Sequence, residues 1–415
     1  MRILYAVHGY KPAVRIGGPA VSVPALAERL VRRGHDVTVV TSDRDLGERL
    51  DVPLEREVDV EGVKVWYFPA APVLPGWLPH PRRVREPGGF LYAPSMAAAL
   101  RRMVPSMDLV HTHLPFIYPT YAAAKAARVA HKPLVYHQRG VLDPRRLQFK
   151  RLKKRVYLEV IEKPILRQAT LLLALTEGEA ASYRRLGAKQ PCRTVPNGVD
   201  LPPEQFDVRS RAQAAWALPA AAPVVVFVGR LHPLKGTRAL LNAFREVHGV
   251  RPDARLVMAG PDEEGELSAL RSLSAASGLH DAVLFPGVVR GEQKALLLAR
   301  ADVFCLPSIA EGFSMAVLEA MAARTAVLLS AGCAFPQVEA AGAGRIVEDG
   351  VQGLQRALAE MLADPARLAR MGEAGRALVE RDYSWDRIVD RLLEAYAESI
   401  GLHQAALAKR HGWGR

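Results

Sequence analysis

Cysteine is scarce: Cys192, Cys305 and Cys333 are the only three in 415 residues, widely spaced and without a Cys-x-x-Cys. Such a set supplies neither a disulfide framework nor a structural zinc site and suits a reducing compartment. Long apolar runs are missing as well. No stretch approaches the roughly eighteen residues a membrane-spanning helix needs. The opening MRILYAVHGYKP carries one arginine and an apolar run that stops at His8, too short for the core of a signal peptide. A cytoplasmic protein is expected. Two phosphate-binding signatures are also absent: there is no Gly-x-Gly-x-x-Gly and no Gly-Lys-Ser/Thr loop.

What is present is ordinary globular composition, 49% hydrophobic and 24% charged, in a chain too long for one core. The net charge of +13 is unevenly placed. Residues 1–200 hold 32 Lys+Arg against 18 Asp+Glu, and residues 201–415 hold 24 against 25. A basic half and a neutral half imply different partners. Both halves alternate short apolar runs with helical spacing. Strands are expected at 2–7, 36–42, 63–68, 108–113, 133–137 and 170–176, then at 222–230, 254–260, 282–287, 301–307 and 326–330. A helix is expected at 23–35 with Gly34 as its cap. A Pro-rich break near 195–207 separates the two series. The expected organisation is a first doubly wound αβα domain over 1–202, a second over 203–382, and a tail, 383–415, whose amphipathic helix packs back on the first domain. Ligands of such sheets bind at the carboxyl ends of the strands.

The chemistry-bearing stretches fall at those ends. VFVGRLHPLKG (226–236) ends a strand at Gly229, followed by Arg230 and Lys235, two cations that suit a diphosphate. GYKPAVRIGGPA (9–20) puts Gly17-Gly18 where backbone can approach a ligand. EGFSMAVLE (311–319) sets Glu311 before a helix capped by Ser314 and Glu319 inside it, among apolar neighbours that favour a hydrogen-bonded carboxylate over a solvated one. The N–H groups of Phe313 and Ser314 would point at an anion. VHTHLP (110–115) sends His111 and His113 to one face of a strand, with no third ligand in view for a metal. HQRGVLDP (137–144) adds His137 and Arg139 on the side expected to meet an acceptor. RRLQFKRLKKR (145–155) holds seven basic residues, among them Lys150, Arg151, Lys153, Lys154 and Arg155, either a solvated face or a surface for anionic lipid. Nucleic acid is disfavoured, since no aromatic platform accompanies the cluster.

Taken in order, the Gly17-Gly18 loop, HTH, VPNGVD, GRLHPLKG, FPGVV, EGFSMAVLE and YSWDRIVDRLLEAY resemble the family 4 glycosyltransferases of the GT-B fold, including those of bacterial surface polysaccharide assembly. The resemblance covers nearly the whole chain. It implies two Rossmann-like domains with a cleft between them, and retaining transfer of a sugar from a UDP-, GDP- or ADP-linked donor to an acceptor hydroxyl, with a lipid-linked saccharide among the acceptors in scope. It implies that Arg230 and Lys235 hold the diphosphate, Glu311 the sugar and Glu319 the ribose. Gly229, Gly287, Val288, Gly312, Phe313 and Ser314 would line the donor site, and His113 would lie near the transferred sugar. No cofactor or metal is expected. A nucleotide-sugar epimerase or a silent nucleotide-binding scaffold are the alternatives on the same fold.

Overall fold

Runs of Val, Leu and Ile become the strands of two parallel sheets. The structure, a computed structural model, describes residues 1–15, 17–45, 48–72, 91–143, 155–203, 207–262, 264–348 and 350–412. The chain divides into two compact units, Met1–Asn197 with Ile388–Arg415, and Gly198–Arg387.

The first unit is built on eight strands: β1 (Arg2–Ala6), β2 (Asp36–Ser42), β3 (Glu57–Val60), β4 (Val63–Phe68), β5 (Leu109–His113), β6 (Leu134–His137), β7 (Leu171–Ala174) and β8 (Cys192–Thr194). Their spatial order is β8-β7-β6-β5-β1-β2-β4-β3, parallel except for β3 at one edge. The winding direction reverses between β1 and β5, so the loops leaving these two strands diverge and open a site at their carboxyl ends. Helix α1 spans Gly18–Arg32, five residues ahead of the start expected from spacing, because Gly17 at φ 89° and Pro19 in the first turn set its entry. It ends as expected: Gly34 adopts φ 81° and donates its N–H to Val31 O.

The second unit carries β9 (Val224–Val228), β10 (Arg255–Ala259), β11 (Val283–Gly287), β12 (Val303–Leu306), β13 (Ala326–Ser330) and β14 (Gly344–Val347), all parallel, in the order β11-β10-β9-β12-β13-β14. Here the reversal falls between β9 and β12. Helix α2 (Thr237–Val250) follows β9, α3 (Gly291–Arg300) follows β11, and α4 (Met315–Ala322) follows β12. Strands β3, β8 and β14 have no counterpart in the sequence reading. All three are edge strands, half solvated, and lack the apolar run that marks a central one.

Helix α5 (Trp385–Gly412) is longer than the 383–400 segment expected. Its buried stripe, Ile388, Val389, Leu392, Ala395 and Tyr396, has helical spacing and sits in the first unit. Arg193 forks onto Glu398 at 2.8 Å for both contacts, and the Tyr396 hydroxyl lies 2.8 Å from that of Tyr5. No helix among the described residues is long and apolar enough to cross a membrane.

At the β9–β12 reversal two loops touch. A Cβ on Gly236, which adopts φ 69°, would lie 2.0 Å from the carbonyl oxygen of Pro307. Only glycine fits both the backbone and the space. Gly236→Ala is therefore expected to cost about 2–5 kcal/mol in denaturant unfolding. Gly265→Ala, at φ 81° but with open space around it, should cost about 1 kcal/mol.

A second stability test comes from Glu162. It lies buried in the π-helical turn Leu158–Glu162, accepting the Phe116 N–H at 2.6 Å and the Tyr136 hydroxyl at 2.7 Å. Burial pushes its carboxyl from 4.5 up to about 7, against the two hydrogen bonds. A carboxyl raised on folding favours the folded state below its unfolded value and loses that contribution as pH climbs through its folded value. Thermal melts from pH 5 to pH 8 should fall more for the wild type than for Glu162→Gln. Parallel curves would show the residue ionised throughout.

Candidate functional site

In the second unit the β9 and β12 loops are stitched by backbone. Ile309 N–H donates to Leu234 O at 2.9 Å, Ser308 Oγ to the same oxygen at 3.1 Å, and Glu311 N–H to Gly332 O at 3.0 Å. His232 Nδ1 accepts the Leu234 N–H and closes the short turn Pro233–Lys235. The result brings Lys235 onto Glu311 as a largely buried ion pair, side chains 15% and 11% exposed. Gly229 ends β9 with its N–H on Ala259 O, and Arg230 beside it is exposed. On α4, Glu319 meets Lys294 of α3 at 2.6 Å. Each carboxylate of the expected pair thus holds a lysine, one on either side of the sheet reversal. Gly287 ends β11 and accepts the Gly260 N–H at 2.8 Å, with Val288 exposed next to it.

One expectation here is corrected. Ser314 occupies the N-cap position of α4, but its hydroxyl makes no capping bond, so the first-turn N–H groups are not closed by it. The Phe313 ring packs with centroids 5.4 Å from Phe335 and 6.0 Å from Tyr383, which leaves its expected contribution, the backbone N–H, unchanged.

In the first unit the loop before Gly17-Gly18 is tied down. The buried carboxylate of Asp45 accepts the N–H groups of Val14 and Arg15 at 3.0 and 2.9 Å, and the Tyr67 hydroxyl donates to Lys11 O. Asp45 closes the one Asp-x-Asp triplet near this site, Asp43-Arg44-Asp45. Asp43 is likewise occupied, accepting the Ala70 N–H at 2.9 Å. These carboxylates hold backbone in place. A Cβ on Gly18 would meet nothing within 4 Å, so that flank of the loop is open.

The histidines form a cluster the sequence reading did not anticipate. His111 and His113 share a face of β5, and the parallel register sets His137 of β6 beside His113. All three are buried, with ring nitrogens within 4.8 Å of one another. The third imidazole that the sequence reading could not supply for a metal is thus His137. Centroids of His111 and His113 are 4.0 Å apart. Burial, helped by the Arg139 guanidinium, holds all three well below the ordinary imidazole range, so they are neutral near pH 7. His111 Nδ1 lies 2.7 Å from the Tyr396 hydroxyl. Arg139, also buried, donates Nε to His113 Nδ1 and Nη1 to Ser22 Oγ and Asn197 Oδ1, each at 3.0 Å. A second shell of hydrogen bonds pins this corner: Gln138 donates to Glu179 O and takes the Leu142 N–H.

Of the basic cluster, Lys150, Arg151, Lys153 and Lys154 lie outside the described residues, and Arg155 is exposed. Lys294, Tyr396, Tyr5 and Asp45 were not singled out from sequence. Tyr396 closes the YSWDRIVDRLLEAY stretch but was given no role there, the other three sit in no motif, and the partners of all four are distant in the chain.

Comparison with known proteins covers both units. Residues 17–198 match the glycosyl transferase 4-like domain and residues 208–378 the glycosyl transferases group 1. A D-inositol 3-phosphate glycosyltransferase of Segniliparus rotundus is 31% identical over 245 residues, 58% of this chain and about half (54%) of that relative's length. An MMP alpha-(1->4)-mannosyltransferase of Mycolicibacterium hassiacum is 28% identical over 96% of this chain and 98% of its own. Among solved structures, Anabaena HepE in complex with UDP and glucose superposes with a TM-score of 0.74 at 20% identity, covering 96% of this chain and 99% of that one. Two matched halves and a shared fold lead to one conclusion: the chain belongs to the glycosyltransferases of the GT-B fold, with a glycosyl transferase 4-like domain followed by a glycosyl transferases group 1 domain.

Proposed function

We propose that this protein moves a sugar from a nucleotide-diphosphate sugar to an acceptor hydroxyl, with retention at the anomeric carbon, in the assembly of a glycolipid or polysaccharide. The Lys235–Glu311 ion pair at the sheet reversal carries this reading. As the glycosidic bond breaks, charge grows on the leaving diphosphate. Lys235 and Arg230 oppose it as fixed cations, an electrostatic contribution that needs no metal. Donor binding draws Lys235 from Glu311 toward phosphate and releases Glu311 to accept sugar hydroxyls. Glu319, steadied by Lys294, takes the ribose diol. Backbone at Gly287 and Val288 meets the base. On the first unit, Gly17-Gly18 borders the phosphates, and His113 donates to a substrate oxygen, with His111, His137 and Arg139 around it. HepE was solved with UDP and glucose, and a Corynebacterium glutamicum relative is named as GDP-mannose-dependent, so donors of either base class are in scope.

Incubation with UDP-, GDP- and ADP-linked sugars should show binding of one donor and slow release of free nucleotide. Arg230→Ala and Lys235→Ala should each lower turnover by about 10²–10³-fold, and excess EDTA should leave the wild-type rate unchanged. Activity near wild type in either variant, or loss with EDTA, would overturn the cation assignment. An epimerase would instead turn over its donor to an isomer with no acceptor and no nucleotide release.

A place on the cytoplasmic face of a membrane belongs to the same proposal. It is supported by the basic bias of residues 1–200 and by Val156 and Val160, 58% and 67% exposed one turn apart beside Arg155. Flotation with anionic liposomes at low salt should recover the protein. Neutralising Lys153, Lys154 and Arg155 together should abolish recovery. Equal recovery of both proteins would leave the cluster a solvated face.

A further inference from the structure

Arg139 decides which proton His113 carries. A guanidinium offers only N–H donors and has no lone pair. Its Nε lies 3.0 Å from His113 Nδ1, so Nδ1 must accept through its lone pair. A neutral imidazole has one protonated nitrogen, and here that nitrogen is Nε2. Nothing lets the guanidinium drift from this task. Ser22 and Asn197 hold its Nη1, and its backbone sits at φ 49° followed by Gly140 at φ 79°, a turn locked by Gln138. His113 Nε2 is buried and finds no hydrogen-bond partner among the described residues.

We infer that Arg139 is a positioning residue that locks His113 in the Nε2–H tautomer, so that His113 serves only as a hydrogen-bond donor to a substrate oxygen and cannot act as general base or metal ligand. The groups facing His113 reinforce the lock. They are His111 on the same strand, His137 and Arg139 from β6 and its following turn, and the Tyr5 ring on β1 with its centroid 4.7 Å away. Tyr396 of α5 reaches the cluster through His111, and the Glu179 carboxylate acts on Arg139. A second proton on His113 would have to enter at Nδ1, where the guanidinium already donates. The same logic disposes of the three-imidazole cluster as a metal site. Each ligand must present a lone pair, and that of His113 is taken by Arg139. The proton leaving the acceptor hydroxyl must then go to a group other than His113.

The link to catalysis rests on the transferase reading, whereas the tautomer does not, and the test separates them. In protein labelled with ¹⁵N-histidine, long-range ¹H–¹⁵N correlation reports each tautomer, with His113 assigned by its loss in His113→Gln. The wild type should show the Nε2–H pattern at His113 unchanged from pH 6 to pH 8 and undisturbed by Zn²⁺. Arg139→Lys, which keeps a donor, should preserve the pattern, and Arg139→Met should mix the tautomers and let His113 titrate. An Nδ1–H or imidazolium pattern in the wild type, a Zn²⁺ shift, or an unchanged Arg139→Met spectrum would overturn the inference. The wild-type spectrum decides alone if Arg139→Met does not fold. Turnover should fall at least about tenfold in Arg139→Met and recover in Arg139→Lys. Full activity beside a scrambled tautomer would remove His113 from the reaction while leaving the lock intact.

Discussion

A parallel strand cannot reach its neighbour through a tight turn, and the rest of this structure follows from that constraint. Each parallel strand must hand on to a crossover, so the strand-to-helix loops collect at one edge of each sheet. The winding reverses between β1 and β5 in the first unit and between β9 and β12 in the second, where the two loops stay joined through Ile309 N–H on Leu234 O. The residues that carry chemistry are the ones on those four loops and the strand ends beside them. The central strands of the second sheet are apolar, whereas in the first His111, His113 and His137 stand within β5 and β6 themselves.

The two units solve the burial of charge differently. In the second, each acidic group near the reversal is matched by a lysine: Glu311 by Lys235 and Glu319 by Lys294. Both pairs are largely shielded from solvent, and in each the cation is matched by one carboxylate. In the first unit the polar groups are deeply buried and mostly neutral. His111 bonds with Tyr396 and through it Tyr5, Arg139 donates to His113, and the His137 ring stacks on His111 without a hydrogen bond among the described residues. One unit is poised to trade ions. The other is poised to present a fixed array of hydrogen-bond donors.

Much of this was legible in the sequence. Strands β1, β2, β4 to β7 and β9 to β13 all show as mostly apolar runs, β11 among them although it forms one edge of its sheet. Edge strands β3, β8 and β14 lack that signature and were invisible. The residue types of the motifs were also legible, since Arg230, Lys235, Glu311 and Glu319 stand at or near strand ends that the pattern located. What misled was side-chain duty: Ser314 reads as a capping residue and does not cap.

By itself the sequence determined two doubly wound halves, the charge asymmetry between them, and which residues would stand at strand ends. Those are local properties, written in runs and spacings a few residues long. The tertiary structure alone decided who meets whom. Lys235 finds Glu311 across 76 positions, Tyr5 finds Tyr396 across 391, and His137 arrives beside His113 because β6 pairs with β5 in one register and not the next. Strand order and register are set by how crossovers pack on a whole sheet, and a shift of one residue would turn each of these side chains to the opposite face. No local pattern carries that information.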